Sequence, residues 1–336
     1  MERQLRAHSP LRVSFIGGGT DISPFTERYG GAVLNTTINM GVSARYVYDN
    51  YPLEIASRDL ISSYLSGAHG KTILDELSKE LSDGGLKMGK IHINGDVPPG
   101  SGLASSSALV TALTALGSYA SGKKLLGGAL ALKAYNIERN RLGILLGYQD
   151  PYAIAIGGFK FMEFRGLAKY SIERFRKSKS LIDYVSSHML LAYTGSTRES
   201  SAALREQVTQ SKRKGSKTTE RLLHLKQLAF EARDCVRSSD IAGFTQTINK
   251  GWNVKKELSS GVSNKRIESL IALGMRNGAL AGRLLGGGSD GFVMFIVKDG
   301  FMVHLQKALI RKYKFVVRAS INNNSTEVNE RKKAFG

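Results

Sequence analysis

The sequence predicts an α+β protein in two domains. Three observations lead there. Its 336 residues are enough for about two hydrophobic cores. A content of 42% hydrophobic and 23% charged residues is that of an ordinary globular chain. Strand-like alternation dominates before residue 165, whereas helical periodicity runs through most of 198–277. The boundary is expected at 165–185, giving units 1–175 and 176–336.

Taken in order, 11–16 (LRVSFI) alternates before three glycines and reads as a strand emptying into a turn. Segments 32–38 and 43–48 are β-branched and aromatic enough for two more strands. The spacing over 72–82 predicts a helix, and 90–94 (KIHIN) alternates again. Ala104, Ala108, Ala112, Ala115 and Tyr119 recur at the spacing of a helix packed closely on a sheet. A second helix is expected over 125–142 and a strand over 159–164. In the second half, 189–193, 280–284, 292–297 and 314–318 read as strands, with a helix near 301–311 and no internal repeat.

Composition narrows the function. The apolar stretches are too short to span a membrane, and the initial Met-Glu-Arg-Gln lacks the apolar core of a signal peptide, so a cytoplasmic protein is expected. A single cysteine, Cys235, excludes an intramolecular disulfide and, with six scattered histidines, a zinc site of paired Cys or His. The net charge of +20 predicts attraction to polyanions, whether nucleic acid, acidic membrane or phosphorylated metabolites. The basic clusters at 174–179, 212–217 and 331–333 have little aromatic interleaving and read as solvated faces rather than a nucleic-acid groove.

One stretch points to chemistry. Residues 98–108 (PPGSGLASSSA) lead from a glycine-rich turn into a helix. The first turn of a helix leaves backbone N–H groups unpaired at the positive end of the dipole, where phosphate oxygens settle. Gly100 and Gly102 leave room for that approach, and the hydroxyls of Ser105, Ser106 and Ser107 can cap the helix or ligate Mg²⁺. A plain helix cap would account for the serines alone. The other phosphate-loop candidate, 117–124 (GSYASGKK), has Lys124 where the magnesium-binding Ser/Thr belongs and reads as a helix-ending turn.

Residues 98–108 resemble the phosphate-binding motif of the GHMP kinases, named for galactokinase, homoserine kinase, mevalonate kinase and phosphomevalonate kinase. Residues 10–21 (PLRVSFIGGGTD) and 283–292 (RLLGGGSDGF) are similar to that family's first and third motifs, in the right order and across nearly the whole chain. The GGGTD run, 147–152 (GYQDPY), 157–161 (GGFKF) and 191–200 (LAYTGSTRES) further resemble the sugar 1-kinase subgroup that acts on D-glycero-D-manno-heptose 7-phosphate, and fucose kinases share parts of this signature. The resemblance implies an N-terminal α+β domain with a left-handed βαβ crossover and a C-terminal ferredoxin-like domain with extra helices. ATP and sugar would meet between them. General rules of chain connection predict the opposite hand for that crossover.

The resemblance also implies roles. Pro99, Gly100, Ser101, Gly102, Leu103, Ala104, Ser105, Ser106 and Ser107 would bind ATP. Glu138 would hold Mg²⁺ with Ser106 as its hydroxyl partner, against the alternative of a helix-surface ion pair. Asp150 would be the catalytic aspartate, accepting or orienting the attacking hydroxyl's proton. Pro151 after it disfavours a helical conformation and suits a carboxylate held on a loop. Arg12 would sit beside Asp150 and stabilise charge in the transition state. Asp21 would accept hydrogen bonds from the sugar, with Gly18, Gly19 and Thr20 admitting the ring, unless it bonds only its own backbone. Arg198 would pair with the substrate's distal phosphate. Gly286, Gly287 and Gly288 would shape the wall, and Asp290 departs from the commoner all-glycine form. The expected partner is a small-molecule sugar phosphate, with a homodimer open and no membrane or nucleic acid; a catalytically idle RNA-binding member is the reading from another class.

Overall fold

The computed structural model describes residues 3–57, 68–98, 100–175, 179–195, 201–213 and 215–332. It opens with two long antiparallel strands, β1 (Arg3–Ile16) and β2 (Gly31–Pro52), joined through a glycine turn and the short helix α1 (Phe25–Tyr29). The two strands expected at 32–38 and 43–48 are one. The physical reason is Gly41: it pairs with Pro10, and a Cβ there would lie 2.4 Å from Cε1 of His8, so only glycine lets the pairing run on past the irregularity at Pro10/Arg12.

Strands β3 (Glu54–Ser57) and β4 (Met88–Gly95) pair in parallel, and α2 (Ala68–Asp83) lies between them in sequence, which makes a βαβ unit. Helix α3 (Ser105–Ala120) packs on β1 and β2 through small and apolar residues, with Ala108, Ala112 and Leu116 fully buried. Helix α4 (Gly127–Asn136) stops short of the expected 125–142 and passes into a π-helical turn, Ile137–Arg141. Then follow α5 (Gln149–Ile156), β5 (Lys160–Phe164), which pairs with the start of β2, and β6 (Tyr170–Arg174).

The second sheet contains β7 (Met189–Tyr193), β8 (Ala279–Leu284), β9 (Phe292–Val297) and β10 (Val316–Ala319) in the order β10-β7-β9-β8, all antiparallel. Helix α6 (Lys179–His188) precedes β7. Four helices connect β7 to β8: α7 (Ser201–Ser211), α8 (Lys217–Ser238), α9 (Ile241–Lys255) and α10 (Lys265–Arg276). Helix α11 (Met302–Ile310) connects β9 to β10, which completes a ferredoxin-like β-α-β-β-α-β plan with extra helices. Ser216, Asp240 and Asn264 cap α8, α9 and α10 by accepting from the backbone N–H three residues on, so these helix starts are set locally.

A final strand, β11 (Glu327–Lys332), returns to pair with β1 and gives the first sheet the order β11-β1-β2-β4-β3. Its alternating polar sequence carries no strand signal, because one-sided pairing with β1 rather than burial decides it. Among the described residues no helix is long and apolar enough to cross a membrane.

Candidate active site

The period of β1 sets the first two side chains. Leu11, Val13 and Phe15 fill the core with no exposure, so Arg12 and Ser14, at the alternate positions, face a cleft. The strand then ends in the glycine turn. Gly17 has φ +85°, and a Cβ on it would lie 2.0 Å from the Ala32 carbonyl oxygen, so glycine is required there. Gly18, Gly19 and Asp21 line the cleft as expected, but Thr20 does not. Its hydroxyl is buried and donates to the Gly17 and Ala32 carbonyls, which staples the turn shut.

Asp21 accepts from its own turn, at Gly19 N (3.0 Å), and from the first residue of α5, at Gln149 N (2.9 Å). The carboxylate thus bonds the backbone of its own turn, as one of the two sequence alternatives has it, and that of Gln149 as well, while it stays in the cleft wall. Burial raises its pKa, and the neighbouring charge of Asp150 adds to the rise. Ser14 donates to Oε1 of Gln149 at 2.9 Å, and Nε2 of Gln207, on α7, donates to the Gly19 carbonyl at 3.0 Å. Arg198 lies outside the described residues.

The phosphate loop faces this turn across the cleft. Gly100, Gly102, Ala104, Ser105, Ser106 and Ser107 line it, Ser101 and Leu103 are buried behind it, and Pro99 lies outside the described residues. Ala104, at φ 60°, is the N-cap of α3 and offers no capping side chain, so the three serines occupy the first turn instead of capping it. First-turn N–H groups left without a side-chain cap are what an anion needs. The third glycine motif supports the loop from behind. A Cβ on Gly102 (φ +84°) would lie 2.5 Å from the Leu285 carbonyl oxygen, and one on Gly286 (φ +82°) would lie 2.6 Å from the Gly102 Cα. The two loops touch backbone to backbone, and side chains at these positions would part them. Asp290 stands at the rim, where Oδ1 accepts from Thr194 at 3.4 Å.

Glu138 sits in the π-helical turn after α4, a local irregularity of the kind often found at functional sites. It is 1% exposed, so the helix-surface ion pair is ruled out. Its Oε1 accepts from Ser107 at 2.9 Å, one position on from the serine expected to partner it, while Oε2 is buried with no hydrogen-bond partner among the described residues. Burial pushes its pKa up to about 8. An orphaned carboxylate oxygen beside a phosphate loop fits a magnesium ion, which takes one or two carboxylates and completes its shell with water and phosphate oxygens. Ser106 lines the same cleft.

Asp150 and Arg12 meet in a bidentate pair, Nε to Oδ1 and Nη2 to Oδ2, each at 2.8 Å, and Nη1 of Arg12 donates to the Gly102 carbonyl at 2.7 Å. One guanidinium thus ties the carboxylate to the phosphate loop. The expectation that Pro151 keeps Asp150 out of a helix is corrected: Asp150 belongs to the first turn of α5. A proline is tolerated there because its missing N–H would have had no intrahelical partner. The turn leaves the Asp150 side chain 24% exposed, open to the cleft.

Two buried cations escaped the sequence reading. Lys255, at the end of α9, lines the cleft, and Arg283, on β8, lies behind it with 1% exposure and donates to the Phe15 carbonyl. Lys255 stands in no motif, and Arg283 opens the third motif without a role assigned to it. The packing of α9 on β1 and β8, and the reach of the Arg283 side chain to β1, put them near the site. Cys235 is half-buried, its thiol pushed up by burial, in keeping with an inert position.

Comparison with known proteins agrees with this arrangement. Residues 68–158 match the family described as the GHMP kinases N terminal domain. The chain is 31% identical over 328 residues to D-glycero-alpha-D-manno-heptose 7-phosphate kinase of Campylobacter jejuni, covering 94% of this chain and 95% of that protein. The crystal structure of a D-glycero-D-manno-heptose 1-phosphate kinase from Bacteroides thetaiotaomicron superposes with a TM-score of 0.74 at 26% identity, over 99% of this chain and all of the other. Lactococcus lactis galactokinase, crystallised with galactose, shares the fold with a TM-score of 0.76 at 16% identity, over 96% of this chain and 95% of its own. With the phosphate loop, the glycine turn and the Arg12–Asp150 pair gathered on one cleft, the chain belongs to the GHMP kinase family.

Proposed function

We propose that this ATP-dependent sugar kinase phosphorylates the anomeric hydroxyl of D-glycero-D-manno-heptose 7-phosphate, giving the 1,7-bisphosphate. The observation that carries the substrate is the end-to-end match to the Campylobacter jejuni heptose 7-phosphate kinase. The relative named L-fucokinase/L-fucose-1-P guanylyltransferase, from Bacteroides fragilis, is 26% identical, and the chain spans about a third of its length (34%).

In this reading the first turn of α3 and the loop before it hold the nucleotide phosphates, and the turn at Gly18, Gly19 and Asp21 holds the sugar. Asp150 orients the attacking hydroxyl and takes up its proton as the bond to phosphorus forms. Arg12 keeps that carboxylate in place with two bonds and shares the loop's Gly102 carbonyl, so acceptor and phosphate are positioned by one side chain. Glu138 would hold Mg²⁺, with Ser106 or Ser107 supplying a hydroxyl. Bound there, the ion would neutralise negative charge on the nucleotide phosphates. Arg198 is the candidate for the distal phosphate.

The test is ADP release with Mg·ATP across D-glycero-D-manno-heptose 7-phosphate, sedoheptulose 7-phosphate, mannose, mannose 6-phosphate and fucose. Turnover confined to the heptose phosphate is expected. Turnover only with a free sugar would discard the distal-phosphate pocket, and none at all would turn attention to the basic surface and RNA.

A further inference from the structure

Lys255 lies where the three glycine motifs converge. Its Nζ donates to the Gly286 carbonyl at 2.6 Å, and Gly286 rests on Gly102 of the phosphate loop. The same Nζ is 3.9 Å from where a Cβ would stand on Gly18 of the glycine turn. The charges facing it come from every element around it: Arg12 on β1, Asp21 in the turn, Asp150 on α5 and Arg283 on β8. Among the described residues Lys255 makes no ion pair. It is 7% exposed, and burial, then Arg283 and Arg12, push its pKa down to about 7.

Such a placement is costly for the folded protein. A buried ammonium bonded to one neutral carbonyl has lost its water without gaining a counter-charge. A lysine kept for packing alone would be better replaced by an apolar side chain. The neighbouring cation is already largely committed, because three of the five Arg12 N–H groups are spent on Asp150 and the Gly102 carbonyl. Lys255 has three N–H donors and, among the described residues, one acceptor in the Gly286 carbonyl, which leaves donors to aim into the cleft.

We propose that Lys255 is a further catalytic residue, whose ammonium contacts the equatorial oxygens of the phosphoryl group as it passes from nucleotide to sugar. The proposal rests on the kinase reading above. The carboxylates facing Lys255 are already held, Asp150 by Arg12 and Asp21 by backbone N–H groups, so an arriving phosphate is the anion left for it to pair with, and charge on the oxygens in flight is what a positioned cation stabilises. The contact therefore favours the transition state over the free enzyme, which is the condition for raising kcat.

Lys255→Met, a flexible apolar side chain of similar length, tests this. The expected result is a kcat lower by roughly 10²–10³-fold, the usual cost of losing one transition-state donor. Mg·ADP affinity should be unchanged, and the variant should melt at or above the wild type because a buried charge is gone. Affinity for ADP with aluminium fluoride, a mimic of the phosphoryl in flight, should fall in parallel with kcat. A variant with near-normal kcat overturns the proposal, as does one whose kcat, ADP affinity and melting temperature all fall together, which marks a structural prop. If the variant does not fold, the wild type decides: kcat/KM should decline above about pH 7 as free Lys255 loses its proton, and a level profile to about pH 9 overturns the proposal. A wild type that releases no ADP overturns both readings, whereas wild-type turnover matched by the Met variant overturns this one alone.

Discussion

Two of the carboxylates that line the cleft keep different company. Asp150 is gripped by Nε and Nη2 of Arg12 and remains open to the cleft, whereas Glu138 is 1% exposed, with one oxygen on the Ser107 hydroxyl and the other without a hydrogen-bond partner among the described residues. The chain supplies Asp150 with its counter-charge and so fixes its direction before any substrate arrives. Among the described residues it gives Glu138 no counter-charge, and burial, to which the charge of Asp150 adds, raises its pKa to about 8. The first arrangement suits a group that must align a hydroxyl. The second suits a group completed by a cation brought with the nucleotide.

The largest effect should come from breaking the paired side. Asp150→Asn keeps the shape but removes the proton acceptor, and kcat should fall by about 10²–10⁴-fold with Mg·ADP affinity retained. Near-normal turnover would remove Asp150 from the chemistry. Changing the unpaired side should move a different quantity. Glu138→Gln should raise the Mg²⁺ concentration for half-maximal rate by at least about tenfold. An unchanged Mg²⁺ requirement would place the ion elsewhere.

The smallest effect sharpens the same contrast from the cationic side. Folding depresses the pKa of Lys255, so its contribution to stability is present above the ordinary lysine range and is lost as pH falls toward about 7. The Lys255→Met variant has no such loss. Its melting temperature should gain on the wild type as pH falls from about 10 to about 7 and then hold level. A difference constant across that range would show that Lys255 is not strained by burial.

Much of this was legible because it is local. The strand at 189–193 has the bounds expected, and so does 292–297, whose six buried apolar residues need no partner to identify them. The three glycine runs, Asp150 and Glu138 were likewise readable, since the motif places each residue type at a fixed distance from its neighbours. The phosphate loop needed only its glycines and the helix that follows. By contrast, the continuity of β2 through Gly41 depends on His8, more than thirty residues away in sequence, and β11 is a strand only because β1 offers an open edge.

The sequence by itself thus determined the fold class, the family's three motifs and the two carboxylates, all of which follow from periodicity and short-range spacing. Tertiary structure decided how each charge is matched. It bonded Glu138 to Ser107, bent Asp150 into a helix beneath Arg12, spent the Thr20 hydroxyl on the turn, and brought Lys255 into the cleft wall with Arg283 behind it. The reason is physical: a charge's pairing and hydration are set by what packs against it from distant elements, and no local pattern along the chain encodes that approach.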